Sequence, residues 1–123
     1  MIGVVLVDDH AVVREGYRAL LSRQHDIDVV AEYGDADAAW RGMARTAPDI
    51  VIMDLNMPGA SAIDVLARLH RQHACLRSLV FTMYVNPTLA RRAFAAGARG
   101  FVTKSSAPDV LLAAVRRIAA GGR

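Results

Sequence analysis

The sequence predicts an α/β protein built on a single five-stranded parallel sheet, doubly wound, with helices on both faces. Three observations carry this. Strand and helix signals alternate five times within 123 residues, which leaves only short connections and no second domain. The strand segments are near-continuous β-branched runs, as in Ile2-Gly3-Val4-Val5-Leu6-Val7, and strands buried on both faces read that way. The hydrophobic fraction is 54%, which suits a well-buried α/β core and not a disordered or fibrous chain.

Each element follows in order. Ile2–Val7 is the first strand. Ala11–Arg23 has helical spacing, with Val12, Val13, Gly16, Ala19 and Leu20 read as the inward side. Ile27–Tyr33 is the second strand, and Gly34-Asp35 introduces a helix through Thr46 with Ala38, Ala39 and Met43 inward. Pro48-Asp49 punctuates the chain before the strand Ile50–Met53. After the loop Asn56-Met57-Pro58-Gly59, a third helix sets Ile63, Leu66 and Leu69 at three-residue steps. Leu79–Phe81 is the fourth strand; Asn86-Pro87 opens a helix to Ala96, where Gly97 is suited to a left-handed cap. Gly100–Thr103 is the fifth strand. Pro108-Asp109 starts the last helix, with Val110, Leu111, Ala114, Val115 and Ile118 as its apolar stripe. Gly121-Gly122 ends it, so residues 1–120 are expected to form the domain and 121–123 to begin a linker.

Composition narrows the function classes. No apolar run approaches membrane-spanning length, and the start reads straight into a strand and not a signal peptide. A lone cysteine, Cys75, has no internal disulfide partner, and a reducing cytoplasm is the expected location. The net charge of +3 comes from arginines scattered over several helices without a basic run or interleaved aromatics, so nucleic-acid binding by these residues is not expected. No glycine-rich phosphate loop follows the first strand, where Asp8-Asp9-His10 stands instead, and this argues against a nucleotide or flavin site.

In a doubly wound sheet, ligands bind beyond the carboxyl ends of the strands, at the switch in strand order. Asp8-Asp9 follows the first strand, Asp54 ends the third, Thr82 ends the fourth and Lys104 follows the fifth. Taken singly, these have plainer readings: Asp9 as a helix cap, Asp54 as turn chemistry, Thr82 as a turn hydroxyl. As an ordered set on one edge they point to a phosphoryl-accepting pocket. Three gathered carboxylates repel by roughly 4 kcal/mol per pair at an effective dielectric of ~20, which selects for a cation. Oxygen ligation with few carboxylates suits Mg²⁺, and the backbone carbonyl of Asn56 is within reach of the same ion. Asp54 is then the nucleophile, forming an acyl phosphate, with the cation, Lys104 and the Thr82 hydroxyl stabilising the transferring phosphoryl oxygens. Lys104 is the single lysine among fifteen basic residues, a compact point charge where every other cation is a planar fork. His10 is read as a helix-entry residue with its ring facing solvent, since a hard oxygen site needs no imidazole; His25, His70 and His73 are too scattered for a metal site.

The motifs Val5-Leu6-Val7-Asp8-Asp9-His10, Met53-Asp54-Leu55-Asn56-Met57-Pro58-Gly59, Phe81-Thr82-Met83-Tyr84 and Gly97 to Lys104 resemble those of the receiver domain of bacterial two-component response regulators, along the whole chain. The resemblance implies a flavodoxin-like fold with strand order 2-1-3-4-5. It implies Asp54 as phospho-acceptor from a sensor histidine kinase, Asp8, Asp9 and the Asn56 carbonyl as Mg²⁺ ligands, and Thr82 and Lys104 as phosphoryl contacts. Phe101 takes the switch-aromatic position and couples to Thr82; without the resemblance it reads as a core residue. Val13-Arg14-Glu15-Gly16, Thr82-Met83-Tyr84 and the segment Leu112 to Gly122 are similar to NarL/FixJ-type transcriptional regulators. In those a linker leads to a LuxR-type helix-turn-helix, so DNA is expected as a partner only through an output domain beyond these residues. Two departures stand out. Ser105 replaces the Pro that many receivers carry after the lysine; a cis bond there would cost ~3 kcal/mol, and cis and trans both stay open. Met83 replaces a residue that is often small and is expected to narrow the phosphodonor's approach, while Asn56 and Tyr84 flank the reaction path and tune the phosphoryl lifetime.

The competing readings are a stand-alone receiver acting through protein contacts and a phosphorylation-independent dimerisation scaffold. A phosphate-ester hydrolase needs a second acid–base residue where Asn56 stands, so no enzyme activity is expected beyond the domain's own phosphorylation and dephosphorylation. The apolar last helix, paired with the first, is a candidate homodimer surface.

Overall fold

The computed structural model describes residues 1–57, 61–83 and 86–121. Its elements are β1 (Ile2–Val7), α1 (Ala11–Ser22), β2 (Ile27–Tyr33), α2 (Ala36–Met43), β3 (Ile50–Met53), α3 (Ala62–Gln72), β4 (Arg77–Thr82), α4 (Pro87–Ala95), β5 (Gly100–Thr103) and α5 (Pro108–Ala119). The strands pair in parallel in the order β2-β1-β3-β4-β5. The chain leaves β1 for β2 on one side and returns to β3 on the other. The order therefore reverses at β1, and a crevice opens beyond the carboxyl ends of β1 and β3.

Alternation along each strand divides the core in two. Val5, Val7, Val51, Met53 and Val80 face Ala39 and Met43 of α2, Leu66 and Leu69 of α3, and Ala93 of α4. Val4, Leu6, Ile50, Ile52, Leu79 and Phe81 face Leu21 of α1 and Leu111, Val115 and Ile118 of α5. A fully buried Val, Leu or Ile contributes about 1.5–3 kcal/mol. The central strands are sealed on both faces, so whatever hangs from their ends inherits a stiff support.

Local chemistry sets the helix ends. Asp35 Oδ1 accepts from Ala38 N at 2.7 Å to cap α2, and Asn86 Oδ1 accepts from Thr88 N and Leu89 N to cap α4. Gly97 takes the expected left-handed conformation after α4, with φ +116°. A Cβ there would also meet the His70 ring at 2.7 Å.

Three expectations are corrected. The inward row of α1 is Arg14, Tyr17 and Leu21, with Leu20 beside it; Val12 is 86% exposed and Val13 37%. The row begins with a charged residue, so counting apolar positions alone turns the helix to the wrong face. α2 stops at Met43 and not Thr46, because the apolar face ends there and Thr46 Oγ1 folds back to donate to Gly42 O. On α5, Leu112 is buried while Val110 is 45% exposed. In addition, β4 begins at Arg77, two residues earlier than its apolar run. Arg77 Nη1 caps the end of α5 by donating to the Ile118 and Ala119 carbonyls at 2.9 and 2.8 Å, which keeps a charged residue in the strand. The Lys104–Ser105 peptide is trans. No helix among the described residues is long and apolar enough to cross a membrane.

Candidate functional site

The sheet ladder runs one residue past the strands and fixes the site residues. Asp8 N donates to Tyr33 O at 3.1 Å, Asp54 N to Val7 O at 3.0 Å, and Lys104 N to Thr82 O at 2.7 Å. Asp8, Asp54, Thr82 and Lys104 are thereby brought to one row at the carboxyl edge by backbone bonds alone. All three polar side chains that precede Lys104 in this row are buried: Asp8 and Asp54 are 2% exposed and Thr82 0%.

Buried charge needs partners, and the row supplies them internally. Lys104 Nζ lies 2.5 Å from Asp8 Oδ2 and 2.9 Å from Asp54 Oδ2, with its side chain 3% exposed. The remaining oxygens close on the backbone: Asp8 Oδ1 accepts from His10 N and Asp54 Oδ1 from Asn56 N, both at 2.9 Å. Burial pulls the Lys104 pKa down, but hydrogen bonds and charge from Asp8 and Asp54 outweigh it, so the net shift is upward. The group is a fixed ammonium.

Asp9 differs from its neighbours. It does not cap α1, whose N-cap residue is His10 with no side-chain cap bond. Its Oδ1 is buried without a hydrogen-bond partner, the kind of atom that a folded protein rarely leaves unpaired. Asp8, Asp9, His10 and Asp54 each place one ligand atom within 4.8 Å of the others. Three carboxylates against one ammonium leave a formal charge of −2, which a divalent cation balances. Two buried hard oxygens and one orphaned oxygen fit a Mg²⁺-type ion. The His10 ring is 60% exposed, as its position at the helix entry suggests. Yet its Nδ1 lies 3.1 Å from Asp9 Oδ1, closer to the acids than the sequence indicated.

Thr82 Oγ1 accepts a hydrogen bond from Asn56 Nδ2 at 2.5 Å. Phe101 pairs with Val80 in the β4–β5 register and packs against the same core face as Val80. Thr82, two residues beyond Val80, shares that face. Phe101 is half-buried and lines a hollow of about 250 Å³ with Phe94, Val102, Ala114 and Ile118. Met83 is 54% exposed directly after Thr82. Tyr84, Pro58 and Gly59 lie outside the described residues. Sequence reasoning missed one contact and one participant. Asn56 was expected to lend its carbonyl and to tune the phosphoryl lifetime, but the bond of its side chain to Thr82 was not foreseen. Arg14, whose Nη1 donates to the Asp8 carbonyl, stood in the motif Val13-Arg14-Glu15-Gly16 but was given no role, because the apolar stripe set the helix on another face.

A doubly wound sheet with an acid pocket closed by a lysine at its carboxyl edge defines a receiver-type signalling domain. Residues 4–116 match the response regulator receiver domain, and the chain belongs to that family. It is 39% identical over 122 residues to the transcriptional regulatory protein UhpA of Salmonella typhimurium, an alignment covering 99% of this chain and 61% of UhpA. It therefore spans less than two thirds of that relative. Among solved structures, it superposes on a LuxR-family two-component response regulator from Aurantimonas with TM-score 0.94 and 46% identity, covering 98% of this chain and 86% of the other. The isolated receiver domain of RcsB from Salmonella enterica, solved in the presence of the phosphomimetic BeF3-, matches with TM-score 0.91 and 28% identity over 99% and 91% of the two chains.

Proposed function

We propose that this chain is the phospho-accepting switch of a two-component response regulator, with Asp54 receiving a phosphoryl group from a sensor histidine kinase. The observation that carries this is the buried Asp8–Lys104–Asp54 bridge beside an Asp9 oxygen that accepts no hydrogen bond. Asp8, Asp9 and Asp54, with the Asn56 carbonyl, are the residues that would hold Mg²⁺. When bound, the ion neutralises carboxylate charge and draws electron density from the phosphoryl oxygens.

A carboxylate oxygen of Asp54 attacks phosphorus in line. The O–P bond forms as the P–N bond to the kinase's histidine breaks, and the imidazole leaves with the bonding pair. Lys104 then shares its ammonium with a phosphoryl oxygen, where new charge sits in a water-poor pocket. Thr82 exchanges Asn56 for the phosphoryl group, and Phe101, on the same sheet face, moves into the vacated space. The result is a packing switch biased by one local electrostatic change.

The same reading makes residues 1–120 the receiver unit, with residue 121 opening a linker to a helix-turn-helix output that regulates transcription in the cytoplasm. UhpA, a transcriptional regulator longer than this chain, supports the output. Homodimerisation belongs to the proposal too, supported by the apolar surface that Val12, Val13 and Val110 leave exposed. Beryllofluoride with Mg²⁺ tests the pocket without covalent chemistry. The wild-type melting temperature is expected to rise and that of Asp54→Asn to stay unchanged; equal responses from the two would remove Asp54 from the role.

A further inference from the structure

Arg14 stands in the inward row of α1, and its side chain is only 20% exposed. A guanidinium held there needs partners for its fork, and they come from separate parts of the chain. Nη1 donates to the Asp8 backbone carbonyl at 2.5 Å. Nε donates to Glu32 Oε1 on β2 at 3.0 Å. The other oxygen of Glu32 is 3.1 Å from Arg18 Nε, so the carboxylate that receives Arg14 is itself held from the next turn of α1. Gly34, just past β2, brings its backbone against the same group: a Cβ there would lie 3.3 Å from Arg14 Nη1.

The carbonyl that Arg14 grips belongs to the first of the paired acids, and it shares one rigid peptide plane with the amide of the second. Asp8 N is already tied to Tyr33 O on β2. Adding Arg14 on the Asp8 carbonyl fixes the peptide that decides where the Asp9 side chain leaves the backbone. Asp9 has no capping duty, and its buried Oδ1 accepts no hydrogen bond and faces only the exposed His10 ring, at 3.1 Å, so this peptide is the firmest constraint on its direction.

We infer that Arg14 is a positioning residue for the cation site, orienting the Asp8–Asp9 peptide so that both carboxylates converge on one ion. This rests on the receiver reading of the pocket. Lysine does not replace it, because a single ammonium lacks the planar fork that meets Glu32 through Nε and the Asp8 carbonyl through Nη1.

Calorimetric titration of the unphosphorylated protein with Mg²⁺ tests this, comparing wild type with Arg14→Lys, Glu32→Gln and the double variant, each checked for folding by circular dichroism. Arg14→Lys is expected to raise the Mg²⁺ Kd about ten-fold, the scale on which residues that orient metal ligands act. Glu32→Gln is expected to raise it by a smaller factor, and the double variant no further than Arg14→Lys alone. Phosphorylation by acetyl phosphate at saturating Mg²⁺ should return to the wild-type rate in every variant, which a general loss of structure would not allow. An unchanged Kd in folded Arg14→Lys, or a rate that saturating Mg²⁺ fails to restore, overturns the inference. If Arg14→Lys does not fold, Glu32→Gln decides by the same two readouts. Wild-type protein that binds no Mg²⁺ and accepts no phosphoryl group would sink the receiver reading instead, and this inference with it.

Discussion

Asn56 holds the hydroxyl of a fully buried threonine: its Nδ2 reaches Thr82 Oγ1 from the loop after β3. In the proposed switch that bond marks the resting state, because Thr82 must give it up to reach a phosphoryl oxygen. Asn56→Ala should leave the hydroxyl without its partner and lower stability by about 1 kcal/mol in urea denaturation; an unaltered midpoint would show that the bond is not holding Thr82. Residues at this scale were legible in the sequence where position alone determined them. Asp8, Asp9, Asp54 and Lys104 follow a strand and Thr82 ends one, and parallel strands bring their ends to one edge. The Asn56–Thr82 bond was not legible, since the two residues are 26 apart and only the folded register brings them together. Arg14 was hidden for a related reason: a hydropathy stripe discounts an arginine, although this one faces inward.

At the scale of elements, α2 and α5 each rest on a contact that periodicity does not show. Gly42 sits inside α2, where alanine is ordinarily favoured by about 1 kcal/mol. Here a Cβ would meet Tyr33 Oη at 2.0 Å and Cζ at 2.2 Å. Gly42→Ala is therefore expected to destabilise the protein by about 1–3 kcal/mol through overpacking; thermal denaturation showing a gain would mean that the Tyr33 ring moves aside freely. The end of α5 is tied down twice, by Arg77 on its carbonyls and by Arg116 on Asp26 at 2.9 and 3.0 Å. The hydrogen bond from Arg116 lowers the Asp26 pKa from 3.8 to about 2. A depressed folded-state pKa means stability that is present above 3.8 and lost as pH falls towards 2. The stability difference between wild type and Asp26→Asn should accordingly shrink across that window; a difference that is flat with pH would contradict the pairing. The positions of the strands and helices could be read from β-branched runs and Gly/Pro punctuation. The face of α1 could not, because its inward row includes Arg14 and Tyr17; on α5 Leu111, Val115 and Ile118 were legible, and only the choice of Val110 over Leu112 failed.

For the molecule as a whole, the order β2-β1-β3-β4-β5 places the reversal at β1, and the acids sit where that reversal opens the sheet edge. Two sealed core faces support the central strands, so a rigid platform carries a small group of polar side chains. One ammonium only partly compensates the acids of that group. The architecture was legible because five alternating segments with doubly buried strands admit few other folds, whereas strand order came through the family resemblance and not from periodicity. The pocket's proposed role is to make Asp54 a phosphoryl acceptor. Intact-protein mass spectrometry after incubation with acetyl phosphate tests it most directly, run with and without Mg²⁺ and beside Asp54→Asn. A single added phosphoryl group that requires Mg²⁺ and is missing from the variant is the predicted result. No adduct on the wild type, or an equal adduct on Asp54→Asn, would contradict it.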